Sequence, residues 1–426
     1  MREKNLSFVI MSLLAVCVLT LCGGSARAGQ KITVDDDRQQ CKNAQYTSIQ
    51  AAVTAAQPGA EIVVCAGTYT EQVTIPASKN GITLRSEKPL AAIIKAPAVM
   101  VSPKAIVRVA GAQDVTIRGF TITGPGGGPC DSIEYGVRVD MGGSATIRDN
   151  HITEIHDTPF SGCQNGIGIQ VGRVADATTG SANIIKNLID NYQKNGITIS
   201  NVGSSADIRD NDITGAGPTA TIAQNGIQVS GGATATVGHN DVSQNIYTPQ
   251  TFVSTGILLF QAGAVTIDHN DVTSNDVNIY AFDTANPVIQ FNYTANGTFD
   301  GIDLTDGTTG ANVSHNTAVS NGFDGIFIDS ASTNNSITHN KLLNNAVFDA
   351  EDQSVGGGSC GTANTWEHNK CNTDNHGGCL CSSGGGGGDD EGAGSEADTK
   401  AAQTTGQSSV APATTAHVRR PTSPQQ

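Results

Sequence analysis

Asn195-Gly196-Ile197-Thr198-Ile199-Ser200 returns thirty residues later as Asn225-Gly226-Ile227-Gln228-Val229-Ser230. Repetition at a period of roughly 20–50 residues is typical of stacked coils that each contact only their neighbours. Alternating apolar and polar residues within each copy predict a strand with one face in a core. The sequence therefore predicts an all-β solenoid. The same pairing of glycine with a β-branched residue recurs as Gly136-Val137, Gly166-Ile167, Gly256-Ile257, Gly301-Ile302 and Gly325-Ile326.

A second pattern marks one corner of each coil, where a β-branched residue is followed three positions later by asparagine. Equivalent residues of stacked coils lie about 4.8 Å apart. Asparagine tolerates corner geometry, and its amide can bond to the next asparagine in the stack. We predict a structural column made of Asn150, Asn187, Asn211, Asn240, Asn270, Asn292, Asn316 and Asn340.

The segment before the repeats also has a distinctive pattern. Residues 46–57 predict a short amphipathic helix that ends at Pro58-Gly59, and Gly67-Thr68-Tyr69 and Val73-Thr74-Ile75 follow as strands. This stretch and the repeats resemble the pectate-lyase-like superfamily of parallel β-helix proteins. The resemblance implies a right-handed parallel β-helix with an N-terminal helical cap. Because that superfamily contains lyases, hydrolases, esterases, epimerases and non-enzymes, it does not fix an activity.

The chain divides into three parts. Residues 1–28 have a basic start, an apolar run and Ala26-Arg27-Ala28, a pattern that predicts a secretory signal peptide. Residues 29–383 form the predicted β-helix, with a cysteine-rich end at 355–383. Residues 384–426, rich in Gly, Ser, Thr and Pro, predict a disordered tail. We expect a secreted or periplasmic monomer without a membrane span.

Charge and cysteine content narrow the partners. The net charge of −15 disfavours nucleic acid, whose phosphates would repel the chain. Eight of the ten cysteines lie outside the predicted signal peptide, and an even count in an exported chain favours disulfides. A metal site at the cysteine-rich end is the alternative, although its spacings match no zinc pattern. The pairing stays open at this stage.

Long insertions in the coils are expected to leave from one corner and to wall a groove beside the Gly-Ile strands. His156 and Asp157, with Arg138 or Arg173, are candidate catalytic residues, as bases and a stabilising carboxylate. The alternative is a disulfide-held loop without chemistry. The insertions are 124–134, 154–164, 174–183, 214–224 and 245–254. Candidate substrate-binding residues are Phe160, Gln170, Gln228, Tyr247, Phe252, Phe260 and Tyr280.

Aspartates precede the later strands of the Gly-Ile series. Carboxylates about 5 Å apart on adjacent coils repel one another, so a bound cation, a raised pKa or splayed side chains are expected. Oxygen ligands of this kind suit Ca²⁺. The alternative is ordinary turn chemistry, in which Asp precedes Gly. The candidate metal ligands are Asp300, Asp303, Asp324 and Asp349.

Histidines form a further predicted column, each just before its column asparagine. Stacked imidazoles suit a soft or borderline metal such as copper. The alternative is a solvent-facing corner residue without a ligand, and Phe291 is expected to break the column. The repeats also resemble the export accessory proteins of nitrous-oxide reductase, described as periplasmic copper-binding proteins. The histidines are His239, His269, His315, His339 and His368.

These features predict an exported protein that binds or processes a polysaccharide, with an acidic glycan as one candidate. If the protein is catalytic, the resemblance implies lyase-like or epimerase-like proton abstraction. The motifs of inverting polygalacturonases, pectin methylesterases and mannuronan epimerases are absent; Ile155-His156-Asp157-Thr158-Pro159 does not reproduce Asp-Pro-His. A non-enzymatic surface scaffold and a periplasmic copper-handling accessory protein are the alternatives.

Overall fold

The computed structural model describes residues 29–381. The predicted signal peptide and the predicted tail lie outside these residues. The helical elements are α1 (Ile49–Ala55) and two 3₁₀ turns at Val174–Asp176 and Ser359–Gly361. The strands, in chain order, are β1 (Lys31–Val34), β2 (Glu61–Val64), β3 (Gly67–Thr70), β4 (Val73–Pro76), β5 (Thr83–Ser86), β6 (Ala92–Lys95), β7 (Ala105–Ala110), β8 (Val115–Arg118), β9 (Phe120–Thr123), β10 (Tyr135–Asp140), β11 (Gly143–Arg148), β12 (His151–Thr153), β13 (Ile167–Val171), β14 (Gly180–Ile185), β15 (Leu188–Asp190), β16 (Asn195–Ser200), β17 (Ser205–Arg209), β18 (Asp212–Thr219), β19 (Asn225–Ser230), β20 (Thr234–Gly238), β21 (Asp241–Tyr247), β22 (Thr255–Phe260), β23 (Val265–Asp268), β24 (Asp271–Thr273), β25 (Val277–Phe282), β26 (Val288–Gln290), β27 (Tyr293–Ala295), β28 (Ile302–Thr305), β29 (Asn312–Ser314), β30 (Thr317–Val319), β31 (Ile326–Ile328), β32 (Ser336–Thr338), β33 (Lys341–Leu343), β34 (Ala350–Asp352) and β35 (Thr365–Glu367).

The strands form three parallel sheets, and the chain visits them in turn to make one coil. Sheet A is β1-β2-β5-β8-β11-β14-β17-β20-β23-β26-β29-β32-β35. Sheet B is β3-β6-β9-β12-β15-β18-β21-β24-β27-β30-β33. Sheet C is β4-β7-β10-β13-β16-β19-β22-β25-β28-β31-β34 and contains the Gly-Ile strands. Each coil runs from sheet C to A, then to B, so the predicted parallel β-helix is confirmed.

One coil shows how the core is filled. Ile197 and Ile199 of sheet C, Ile208 of sheet A and Ile213 of sheet B are all fully buried. They belong to one continuous cluster that runs along the described chain. Since side chains alternate across each strand, the residues between them face outward. The alternation in the sequence therefore identifies the residues that face the interior of the solenoid, which has the shape of a three-sided prism.

The row of glycines follows the register of sheet C rather than a fixed interval. Ile169 pairs with both Val137 and Ile197, so Gly168 occupies the row and the assignment of Gly166 is wrong by two residues. The row excludes larger side chains at most coils. A Cβ on Gly226 would lie 2.3 Å from Val242 Cγ1 and 2.7 Å from the Gly256 carbonyl oxygen. Glycine is used there because the inner corner is already full.

The asparagine column is confirmed. Each column asparagine donates its backbone N–H and its Nδ2 to Oδ1 of the next, as from Asn211 to Asn240 at 3.0 and 2.9 Å. The column extends one coil beyond the predicted set, because Asn340 donates to Asn369 in the same way at 3.0 and 3.0 Å. It satisfies buried polar groups at the corner between sheets A and B, where water is excluded.

A second set of stacked asparagines lies at the corner between sheets B and C, and the repeat pattern did not reveal it. Asn245 donates to Asn275, which donates in turn to Asn278. Further along, Asn321 donates to Asn345, whose Nδ2 lies 2.9 Å from Asp349 Oδ1. These bonds repeat the arrangement of the first asparagine column at a corner where the loop lengths vary.

The eight cysteines within residues 29–381 form four disulfides, which confirms the preference for disulfides over a metal site. The pairs are Cys41–Cys65, Cys130–Cys163, Cys360–Cys379 and Cys371–Cys381. Helix α1 packs Ile49, Ala52 and Val53 into the start of the core. Within residues 29–381, no helix has the length and apolar character needed to cross a membrane.

The insertions do not all leave from one corner. Those at 124–134, 154–164, 214–224 and 245–254 connect sheet B to sheet C, as predicted. The fifth, 174–183, follows β13 and leads into β14, so it lies at the opposite corner between sheets C and A. In the first group, β18 and β21 continue past a bulge and pair again at Gly217–Asn245 and Thr219–Tyr247. Loops therefore flank sheet C on both sides.

Replacing Asn240 by alanine is expected to lower the free energy of unfolding by about 3 kcal/mol. The change removes donors to the carbonyls of Ile208 and Gly238 and leaves the buried N–H of Asn211 without its acceptor. Equilibrium denaturation measures the effect. Asn312→Ala, at an exposed position on sheet A, is the control and should change stability by less than about 0.5 kcal/mol. Equal losses in the two variants would show that the column does not stabilise the fold.

Candidate functional site

The outward-facing side chains of sheet C form one continuous row. It changes from basic and polar in the early coils to aromatic and acidic in the later ones. Five candidate residues share this row, so the structure places them on a common face: Arg138, Gln170, Gln228, Tyr280 and Asp303. In register order the row is Arg108, Arg138, Gln170, Thr198, Gln228, Leu258, Tyr280, Asp303, Phe327 and Glu351.

Arg138 and Arg173 belong to a network of ion pairs. It lies at the carboxyl ends of the sheet C strands, where the chain turns toward sheet A. Arg138 Nε lies 2.8 Å from Asp140 Oδ2, and its Nη2 lies 2.5 Å from Asp176 Oδ2. Arg173 Nη1 lies 2.9 Å from Asp176 Oδ1. Burial alone would lower the pKa of Arg138, but the bond to Asp176 and the neighbouring charges outweigh it and raise the pKa. This guanidinium is a fixed cation, which favours holding an anion over acting as a base.

Asp157 lies at the amino ends of the sheet C strands, in the loop between β12 and β13. Its buried carboxylate accepts from the backbone N–H and hydroxyl of Ser132 at 2.8 and 2.7 Å and from the hydroxyl of Ser161 at 2.7 Å. It also accepts from Nε2 of Gln193 at 3.1 Å. Burial alone would raise the pKa of Asp157, but these hydrogen bonds outweigh it and hold the pKa below its ordinary value. The carboxylate therefore ties three loops together.

His156 is engaged within the same loop. Its Nδ1 lies 2.7 Å from the Asp157 carbonyl oxygen and its Nε2 lies 2.8 Å from Glu154 Oε2. Its ring packs against Phe160 with centroids 5.7 Å apart. Most of a sheet C strand separates this loop from Arg138, a length of roughly 10 Å. The structure therefore does not bring the four candidate catalytic residues together, and their joint catalytic role stays a prediction.

Polar candidates of the row are held by their neighbours. Gln228 Oε1 accepts from Nδ2 of Asn195 at 3.0 Å and from Nδ2 of Asn225 at 3.2 Å. Gln170 is buried and donates to the carbonyl of Gly172. Gln228 keeps partial exposure, so it is the better placed of the two to contact a ligand.

A band of aromatic side chains lies outside the core, on the outer face of sheet C and in the loops that lead into β28 and β31. We call it the aromatic band, comprising Phe260, Tyr280, Phe282, Phe299 and Phe323. Phe260 and Phe282 stack with centroids 5.0 Å apart, and Tyr280 meets Phe282 edge-on at 6.2 Å. Phe299 and Phe323 are in contact at 5.3 Å. The band and its aliphatic neighbours are separate from the core cluster, and Phe260, Phe282 and Phe323 are only partly buried.

The wall loop after β21 adds to this surface. Tyr247 and Phe252 meet edge-to-face at 5.4 Å, and Phe252 is 40% exposed. Val253, the next residue, packs into the same apolar cluster as Tyr280. Tyr247 and Phe252 thus lie just before β22, which carries Phe260 and pairs with the strand of Tyr280. Phe160 lies apart beside His156.

The candidate calcium ligands do not form one row. Register places Asp300 and Asp324 on adjacent coils, but Asp349 lies opposite Gly325. Asp300 Oδ1 accepts from the Asp324 N–H at 2.8 Å, and Asp324 Oδ1 accepts from the Phe348 N–H at 2.8 Å. Asp349 ends the second asparagine ladder instead, because each of its neighbours there is an amide donor.

Asp303 differs from these three residues because it faces outward from β28, opposite Tyr280 and Phe327. Within residues 29–381, the clusters of three His, Cys, Asp or Glu donors that converge to 4.8 Å include none of Asp300, Asp303, Asp324 and Asp349. Calcium binding by these aspartates therefore stays a prediction.

The predicted column is present as a continuous stack of rings. Adjacent ring centroids lie 5.1, 5.0, 4.8, 5.0 and 4.9 Å apart, in the order His239, His269, Phe291, His315, His339 and His368. Phe291 interrupts the run of histidines, as expected, although its ring takes a place in the stack. The stack lies on the corner between sheets A and B, away from the face of sheet C.

Two buried titratable residues were not among the candidates. Lys194 is enclosed at the corner between sheets B and C, donates to the Ala223 carbonyl at 2.9 Å, and has its pKa lowered by burial to about 7. Asp276 accepts from the N–H groups of Tyr247 and Ser254 at 2.8 and 3.0 Å. Burial nevertheless raises its pKa. Both residues directly precede a sheet C strand. The repeat identifies this position in the sequence, but whether a side chain there is buried depends on how the neighbouring loops pack.

A groove of about 830 Å³ also runs along the outer face of sheet A. Its lining consists of small side chains such as Ser181, Thr234 and Thr236, with Asp114 and Asp207, and contains no aromatic residue. Ligand sites usually combine aromatic or apolar surface with a few polar groups. The face of sheet C meets that description, and the groove of sheet A does not.

A family model described as "Right handed beta helix region" matches residues 67–242 and 168–342. The chain belongs to this family. The match confirms the right-handed parallel β-helix predicted from the repeats. No curated protein sequence matches this β-helix protein.

Solved structures share this fold at low sequence identity. A DFA-IIIase from Arthrobacter chlorophenolicus A6, without its lid, is 13% identical over 79% of this chain and 94% of its own, with a TM-score of 0.53. A GH136 lacto-N-biosidase from Eubacterium ramulus is 13% identical over 75% of this chain and 65% of its own, with a TM-score of 0.52. A mannuronic acid specific lyase from human gut microbiota is 12% identical over 80% of this chain and 82% of its own, with a TM-score of 0.49. These likenesses extend to the fold.

Replacing Lys194 by methionine is expected to stabilise the protein near pH 6 by a few kcal/mol, and progressively less toward about pH 10. The folded-state pKa of about 7 lies below the ordinary 10.5, so between these values the unfolded chain binds more protons and wild-type stability rises with pH. The variant lacks this dependence. Denaturation at several pH values measures the difference. Lys88→Met, at an exposed site, is the control, and a pH-independent effect at position 194 would contradict the burial argument.

Proposed function

We propose that this β-helix protein binds a polysaccharide along the outer face of sheet C. The aromatic band carries the proposal, because it places large apolar rings outside the core where they serve no purpose in filling the prism. Aromatic and apolar surface with a few fixed polar groups is typical of ligand sites. The band therefore marks where a ligand docks.

The stacked pair Phe260 and Phe282 presents a ring face at one end. Register places Ser230, a small residue, opposite Phe260 on the preceding coil. A sugar ring stacked on Phe260 would lie over Ser230 and near Gln228, which Asn195 and Asn225 hold in place. The apolar face of the sugar would meet the ring while its hydroxyls meet the amides.

The shape of the face suits a chain rather than a single small sugar. Sheet C has eleven strands, and stacked strands lie about 4.8 Å apart, so the face is long compared with one sugar ring. The paired extension of β18 and β21 forms a wall on one side, and the Cys130–Cys163 disulfide joins two more loops of that wall. The solved structures with this fold do not add to this argument, since their likeness is one of fold.

Asp303 is the proposed site of proton transfer, if the polysaccharide is cleaved or epimerised as well as bound. It lies in the outward row directly opposite Tyr280, so its carboxylate adjoins the aromatic band. Asp303 is 3% exposed, so the side chains around it must move for a sugar to reach the carboxylate. A positioned carboxylate can exchange a proton with a sugar carbon or a glycosidic oxygen. The guanidinium of Arg138 lies several coils away, is buried and is already paired with Asp140 and Asp176, so it takes no part in this step.

We also propose that the protein is exported. Four disulfides in the described chain suit an oxidising compartment, and residues 1–28 have the pattern of a signal peptide. A helical cap formed by α1, a monomeric state and a disordered tail remain predictions from sequence.

The double variant Phe260→Ala/Phe282→Ala is expected to weaken polysaccharide binding by about tenfold or more, because aromatic contacts of this kind contribute roughly 1–3 kcal/mol. Affinity is measured by titration with the glycans that bind the wild type best on an array. Phe291→Ala removes an exposed aromatic residue from the opposite corner and is the matched control. Equal affinity of the double variant and the wild type would rule out the aromatic band as the binding surface.

Asp303→Asn is expected to reduce turnover of a bound polysaccharide by about a hundredfold or more while leaving its affinity within a few-fold. The amide keeps the size of the side chain and removes its ability to exchange a proton. Initial rates and binding are measured on the same glycan, with Asp212→Asn on the outer side of sheet B as control. Unchanged turnover in Asp303→Asn would place the chemistry elsewhere.

A further inference from the structure

The histidine stack on the corner between sheets A and B has chemistry that the polysaccharide site does not use. Its six rings follow one another at 4.8 to 5.1 Å, with interplanar angles of 5 to 21°. Every residue of the stack has a left-handed backbone, with φ from 55 to 58°. This common conformation aims all six side chains in the same direction from the same corner.

Stacking uses the ring faces and leaves the ring edges exposed. The six residues are solvent-exposed, and the side chain of His269 is 49% accessible. The edges of the five imidazoles carry the ring nitrogens, whereas the edge of Phe291 carries only C–H. A sugar would need an open ring face between the stacked rings, but a metal ion needs a lone pair on an edge. The stack therefore favours coordination over stacking with a ligand.

Three donors converge at one end of the stack. A ring nitrogen of His239, a carboxylate oxygen of Asp268 and a ring nitrogen of His269 all lie within 4.8 Å of one another. In the described part of the chain, no other group of three such donors that includes histidine converges this closely. Donors on one tetrahedral Zn²⁺ lie roughly 3.4 Å apart, given Zn–N bonds of about 2.0–2.1 Å. Small rotations of these exposed side chains would close that gap.

The carboxylate is positioned for this role. Asp268 Oδ2 lies 3.1 Å from Nδ1 of His269, so a carboxylate oxygen and a ring nitrogen already adjoin each other at the proposed site. Across the coil, residue 238 is a glycine, and a Cβ there would lie 3.0 Å from Asp268 Oδ1. The missing side chain makes room for the carboxylate on the His239 side. The charge of Arg209 interacts with that of Asp268, but Arg209 Nε is paired with Asp207 Oδ1 at 2.5 Å. Arg209 is therefore held by a carboxylate outside the proposed site.

We propose that His239, Asp268 and His269 bind a borderline divalent transition-metal ion of the Zn²⁺ or Cu²⁺ type. Two imidazoles and one carboxylate are a donor set that such ions take, with water completing the coordination. The site lies on the corner opposite sheet C, so it is independent of the polysaccharide site. It is one turn of the solenoid in height, because its ligands come from two adjacent coils.

The test is a Zn²⁺ titration of the full chain, purified without a polyhistidine tag and stripped with chelator. The double variant His239→Phe/His269→Phe keeps a ring at each position, as Phe291 does naturally, and removes the nitrogens. We expect one tight Zn²⁺ per wild-type chain and a loss of affinity of about ten- to a hundredfold in this variant. The matched control is His315→Phe/His339→Phe, a stacked pair that follows Ser314 and Thr338 rather than a carboxylate.

Asp268→Asn supplies a second measurement, since it leaves both rings in place. It is expected to lower the Zn²⁺ affinity by about tenfold, with an unchanged circular dichroism spectrum. Retention of the tight site by the His239/His269 variant, or its equal loss in the control variant, would overturn the assignment. Failure of polysaccharide binding would leave this outcome untouched, because the two sites share no residue.

Discussion

The structure depends on satisfying the backbone of each coil by the coils above and below it. Three parallel ladders achieve this along the flat faces, but ladders end at corners, where N–H and C=O groups would be buried without partners. The asparagine column solves the problem at the corner between sheets A and B, where the Oδ1 of one side chain per coil accepts from both the backbone N–H and the Nδ2 of the preceding asparagine. Because each asparagine needs its neighbour at coil spacing, the column also holds the coils in register.

This constraint explains why functional side chains are found outside the prism. The interior is filled by inward isoleucines and valines, and the glycine row shows that its corner has no spare volume. Chemistry is confined to outward rows and to loops between sheets. Sheet C is the sheet with long loops on both flanks and with large side chains on its outer face, which is why it differs from the small-residue surface of sheet A.

Much of this was readable from the sequence, and the rest was not, for physical reasons. A side chain that recurs at every coil, such as Asn240 or Ile227, reports its position because stacking repeats its environment. Loops break that rule: the burial of Lys194 and Asp276 depends on how neighbouring insertions fold over them. The interval of thirty misplaced Gly166 because loop lengths on either side of β13 differ. His156 and Arg138 looked like partners in sequence. In the structure, however, His156 lies in a loop at the amino ends of the sheet C strands, and Arg138 lies toward the carboxyl end of its strand.

The later coils have an implication for how such a molecule changes over time. From Asn292 to Asn316 to Asn340 the corner repeats every 24 residues with the same bonds, 2.9–3.1 Å long. A segment of that length has identical sockets at its two ends. Deleting or duplicating it would rejoin matching surfaces and leave the remaining coils in contact with partners of the same kind. Length is thus a property that gene duplication can alter in whole units, while the faces of the rod stay aligned.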